Sequence, residues 1–183
     1  MPTDEAVLAA TRRWLEQAVI GLNLCPFAKA VHAKGQVHFT VSAADSPAQV
    51  LDDIARELDV LVALDPKVRD TTLLVVPHCV GLFLDFNELV VRGERLLRKK
   101  GLEGVIQLAS FHPDYCFADA TADDVTNFSN RSPYPTLHLL RESSIDRATR
   151  AFPDPEAIYG ANLETLRQLG TAGWAALDVG PKR

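Results

Sequence analysis

The sequence predicts an α/β fold: a small, mainly parallel four-stranded sheet with helices packed on it. Three observations carry that reading. Short apolar, β-branched runs alternate with longer segments of helical periodicity. The order over residues 36–111 is strand, helix, strand, helix, strand. The connections are long enough for crossover helices, which join parallel strands in a right-handed sense. A chain of 183 residues fits one such domain, taken as 1–183.

In chain order, Val7, Leu8, Trp14, Leu15, Ala18, Val19 and Leu22 recur at helical spacing and predict a helix over 4–22. Alternation of Val37, Phe39 and Val41 with His38, Thr40 and Ser42 predicts a strand over 36–43. Ser46 as cap, Pro47 at the first helical position and Gln49 in a capping box start the next helix, whose buried stripe is Val50, Leu51, Ile54, Leu58, Leu61 and Val62. The run 71–76 reads as a central strand. A third helix is expected from Asp85, with Glu88 three positions on, a staple between Leu84 and Leu89, and Gly101 as its stop. Strands are expected over 105–111 and 136–141. Two closing helices start at Ser143 and Asp154, the second ending near Gly170, with a loose tail from 180.

Nineteen basic and twenty-four acidic residues give a net charge of -5, which argues against a general nucleic-acid binder. No apolar run approaches the roughly 20 residues that a membrane helix needs. The acidic start, MPTDEAVLAATRRW, carries no apolar signal core. Three irregularly spaced cysteines make no disulfide framework, so a reducing cytoplasm is the expected setting. No Gly-rich phosphate loop and no Gly-x-Ser-x-Gly elbow is present. Cofactors and oligomeric state are left open.

The segment 111–147 concentrates polar residues among prolines and aromatics. If the strands are parallel, His78 and His112 follow two of them at one edge of the sheet, where ligands of such sheets bind. His112, beside Pro113, is the expected acid or base. Arg131 offers a planar fork to a carboxylate or phosphate, with Asn130 and Ser132 as neutral donors and Tyr134 and Tyr115 beside them. Cys25 before Pro26 fits a helix N-cap, where a thiolate is favoured. His138 alternates with Leu137 and Leu139 and is taken as a packed strand residue. Arg141 with Glu142, and Asp146 with Arg147, are expected to form ion pairs. His78, Cys79, His112 and Cys116 are all acceptable metal ligands, but no Cys-x-x-Cys knuckle frames them.

Three motifs together resemble a known family: Trp14-Leu15 with VIGLNLCPFA at 19–28, FHPDY at 111–115, and NRSPYP at 130–135 running on to LHLLRE at 137–142 and SIDR at 144–147. They are similar to the uncharacterised bacterial family labelled domain of unknown function 1415, over about residues 8–170. The resemblance implies that Cys25, His112 and Arg131 belong to one functional unit. It implies no particular chemistry, and the departure at Cys116 removes weight from that thiol as a ligand or disulfide partner.

The leading expectation is therefore a cytoplasmic small-molecule enzyme. Arg131 would hold an anionic substrate, with Asn130, Ser132, Tyr134, Tyr115 and His78 around it. His112 would move a proton, and Cys25 would act as nucleophile or redox thiol. The alternatives are a non-catalytic binding module for an anionic metabolite or peptide, and a metalloprotein using His78 and His112 with cysteine.

Overall fold

In the computed structural model, residues 2–151 and 154–181 are described. The first helical stripe divides in two. Helix α1 runs over Asp4–Trp14, capped by the Thr3 hydroxyl, and a wider π-helical turn follows at Leu15–Ile20. The extra residue in that turn brings Gly21 against the preceding backbone, where a Cβ would lie 2.3 Å from the Gln17 carbonyl oxygen. Only glycine fits there. Asn23 then adopts a left-handed φ of 54° and turns the chain towards Cys25.

A short helix α2 (Ala28–Ala33) leads to strand β1 (Val37–Val41). Then come α3 (Pro47–Ala63), β2 (Thr71–Val75), α4 (Phe83–Lys99), β3 (Ile106–Phe111), a 3-10 turn (Val125–Asn130), β4 (Thr136–Arg141), α5 (Glu142–Ala151) and α6 (Pro155–Ala176). Proline starts α3 as expected, but Ser46 makes no side-chain cap, and Gln49 reaches back to the Asp45 amide instead. Helix α4 begins two residues before Asp85, and Leu84 lies exposed, so the expected staple is not formed. Gly101, at φ 69°, ends α4. Gly170, at φ 65°, breaks α6 without ending it. The expected loose tail lies partly outside the described residues, and Val179 just before it is buried.

The sheet order is β1-β2-β4-β3, with β1 parallel to β2 and β4 antiparallel to both of its neighbours. The sheet is thus mixed, not mainly parallel. The reason lies in the segment 112–135. It carries only turns and a 3-10 helix, so the chain stays at the edge where β3 ended and must enter β4 in the reverse direction. Strands β1, β2 and β3 still point the same way, and the segments after β2 and β3 leave the sheet from one edge.

Alternation divides the sheet residues between two apolar layers. Leu74, Val76, Ile106, Leu137 and Leu139 pack on α3 and α4. Phe39 and Leu73 pack with Trp14, Leu15, Val19, Leu166 and Trp174 on the opposite face. Arg141 sits buried at the end of β4 and donates to the carbonyls of Leu61, Leu64 and Arg69. Two of those carbonyls close the C-terminus of α3, so Arg141 is a helix cap rather than the ion-pair partner of Glu142. Arg147 pairs with Asp70 at 3.5 Å, not with Asp146.

Candidate functional site

The C-terminal edge of β3 is tightly packed around His112. This side chain is 0% exposed, its ring lying between Phe83 and Phe86 with centroids 5.4 and 5.1 Å away. Nδ1 accepts from the Asp114 amide at 3.0 Å, which leaves the proton on Nε2 for the Val80 carbonyl at 3.2 Å. Burial holds the imidazole below its usual pKa, against the hydrogen bond to Val80 and the charge of Asp114. Both nitrogens are engaged in fastening the loop that holds Val80 at φ 52°, a rare conformation for a β-branched residue. His78 is half-buried on the turn after β2. Tyr115 packs at a tilt against Phe83 and edge-to-face against Phe117, and burial raises its phenol pKa.

Arg131 is also committed to the loop. Its Nε donates to the Tyr115 carbonyl at 3.1 Å and its Nη2 to that of Ala122 at 2.6 Å, while its plane lies 5.0 Å from the Phe128 ring. It borders a cleft of about 400 Å³ that also contains Asp114 and Asp178, unwelcome neighbours for an anion. Ser132 and Tyr134 are buried. The Ser132 hydroxyl donates to the Tyr134 carbonyl, and the Tyr134 ring packs with Val7 and Val75 beneath α1.

Cys25 lies elsewhere. It precedes the Phe27 cap of α2 by two residues, and its carbonyl accepts from the Ala28 amide in a turn, so it is not the N-cap that the sequence suggested. Its side chain lines a cavity of about 340 Å³ between the α1 face of the sheet and the helices α1, α2 and α5. The wall is formed largely by Trp14, Leu15, Val31, Leu73, Phe111 and Ile145. The floor contains His138, flanked across the sheet by Leu73 and Ala109. Ala109 is short, and the missing side-chain volume beside the imidazole is part of the open space.

The Thr71 hydroxyl donates to the Leu139 carbonyl and so accepts the Nε2 proton of His138, at 2.6 Å in each case. Nδ1 is left as a lone-pair acceptor with no protein partner among the described residues. Burial lowers the His138 pKa to about 4, so the ring is neutral at pH 7. Asp70 is the charged side chain among the described lining residues, and it is engaged by the Ser144 hydroxyl at 2.6 Å and by Arg147.

Of the residues that the sequence singled out, Cys25 alone reaches this cavity. A second cleft of about 310 Å³ shares Val19, Cys25 and Phe111 with it and adds Asn130. His112 and Arg131 border neither space. Among the described residues no group of three His, Cys, Asp or Glu side chains comes together as metal ligands. Among the described residues no helix is long and apolar enough to cross a membrane.

A family model described as "protein of unknown function (DUF1415)" matches residues 6–176. The chain belongs to that family. Comparison with curated proteins and with solved structures found no match. In this DUF1415 protein, the site residue that sequence reasoning passed over is His138. The available signal was its alternation with Leu137 and Leu139, which turns it away from the α3/α4 core. Its pairing with the short Ala109 could not be read, because it depends on the antiparallel register of β4 with β3.

Proposed function

We propose that this protein binds a small, uncharged, largely apolar molecule in the space between the sheet and α1, α2 and α5. The observation that carries the reading is a cavity of about 340 Å³ whose mostly apolar wall includes His138, with its Nδ1 as a neutral acceptor. Ligand sites of small molecules have this composition: apolar walls and a few placed polar groups that fix orientation. The same geometry turns the reading away from an anionic substrate. The Arg131 fork is occupied by two carbonyls, and Asp70 would repel an anion in the cavity. Three free cysteines suit a reducing cytoplasm.

The test is a titration with N-phenyl-1-naphthylamine, an uncharged fluorophore with one N–H donor. Its emission should rise saturably with the wild-type protein. Ala109→Trp, which fills the space beside His138, should abolish the rise while the circular dichroism spectrum stays native. A wild-type protein that gives no saturable signal, or an Ala109→Trp variant that binds equally well, removes the reading.

A second reading is an enzyme with Cys25 as nucleophile. It is favoured by the place of this thiol in the wall of the cavity. It requires Cys25 to alkylate faster than Cys79 and Cys116, and to be protected by the bound fluorophore. Equal rates without protection, read by peptide mass spectrometry, would end it. His112 enters neither reading, since both of its nitrogens are held and its ring is out of contact with solvent.

A further inference from the structure

The second cleft gives the proposed ligand a shape and a head group. It lies between the Cys25 turn, the end of the 3-10 turn and α6, and it abuts the apolar cavity at Val19, Cys25 and Phe111. Its polar groups differ from those of the first space. Asn162 donates its Nδ2 to the Leu24 carbonyl at 2.8 Å, which fixes the amide and leaves Oδ1 without a partner among the described residues. The Ser129 hydroxyl shares its one proton between Asn130 Oδ1 at 3.1 Å and the Thr126 carbonyl at 3.2 Å, and Asn130 Nδ2 has no partner among the described residues. No charged side chain is among the described residues that line this cleft.

One acceptor and one donor in a single uncharged cleft complement a group that both gives and takes a hydrogen bond. A hydroxyl and a carboxamide do so. A carboxylate only accepts, an ammonium only donates, and either would lose hydration without a counter-charge.

We infer that the ligand is an uncharged amphiphile whose apolar body lies over His138 and whose hydroxyl or carboxamide head sits between Asn130 and Asn162. The inference rests on the binding function proposed above. It adds that the two spaces act as one site, passing the Cys25 thiol where they meet. Tyr159, 55% exposed, stands at the solvent side of the head cleft.

The experiment is displacement of N-phenyl-1-naphthylamine at pH 7.5 by decan-1-ol, decanoate and decylammonium, which share an apolar body and differ in the head. Decan-1-ol should displace the fluorophore at about tenfold lower concentration than either charged compound. Asn130→Leu and Asn162→Leu should each weaken decan-1-ol by about tenfold, the loss of one neutral hydrogen bond, measured relative to the affinity of the same variant for the fluorophore. A native circular dichroism spectrum shows that the variants are folded. Equal or better displacement by a charged compound, or decan-1-ol affinity untouched in both variants, overturns the head-group assignment while the apolar site stands. If the fluorophore does not bind, calorimetry with decan-1-ol reads the site directly, and absence of heat overturns both.

Discussion

At the scale of single residues, the two histidines of the β3–β4 region exchange the roles that their surroundings in sequence suggest. His112 stands among turn residues, yet it is the more deeply packed, with each ring nitrogen fixed by backbone. His138 stands between leucines on a central strand, yet it lines an open cavity. Periodicity tells which side of a strand a residue takes; it cannot tell whether that side is filled. Arg131 teaches a related point. A guanidinium offers its five donors to any acceptor, and here loop carbonyls reach it first. Its loss should therefore be a matter of stability: Arg131→Ala is expected to cost about 2 kcal/mol through two charge-assisted hydrogen bonds, measured by urea unfolding. The fluorophore affinity should stay at the wild-type value. A variant of native stability that no longer binds would restore Arg131 to the site.

At the scale of elements, helix and strand positions were largely legible, because the stripes of α1, α3 and α4 and the run Thr71–Val75 repeat at periods that local chemistry imposes. The direction of β4 was not, because it depends on a loop that never crosses the sheet. The π-helical turn at Leu15–Ile20 was hidden too, since an apolar stripe survives the insertion of one residue into a turn. That turn has a consequence for the site, as it carries the backbone from Trp14 to Cys25 along the wall of the cavity. Gly21→Ala places a Cβ 2.3 Å from the Gln17 carbonyl oxygen. The clash should cost about 2 kcal/mol and shift the turn, lowering fluorophore affinity along with the unfolding midpoint. A variant with wild-type stability and affinity would show that the turn closes without strain.

At the scale of the whole molecule, buried and half-buried histidines link stability to pH. His138 is held at about 4 by burial. His112 is lowered by burial, and His38 by burial and then by the charge of Arg69, with Glu57 opposing. In each case the folded pKa lies below the unfolded value of 6.5. Above that value both states are neutral and the full stability is present. On acidification the unfolded chain takes up protons first, so stability falls from about pH 6.5 until His138 itself titrates near 4. Between pH 7 and pH 5, His138 alone should remove about 2 kcal/mol, and His138→Gln should flatten that slope. Stability that is constant or rising on acidification to pH 5 would contradict the burial of these rings as neutral groups.

The central claim is that the space over His138 takes an uncharged ligand. Nitrogen-15 NMR of the imidazole tests it most directly. The free protein at pH 7 should show His138 as the Nε2–H tautomer, with an Nδ1 resonance that shifts upfield as N-phenyl-1-naphthylamine donates its N–H, accompanied by amide shifts at Leu73, Ala109 and Ile145. A His138 signal that stays fixed while shifts appear on other surfaces, or nowhere, would contradict it.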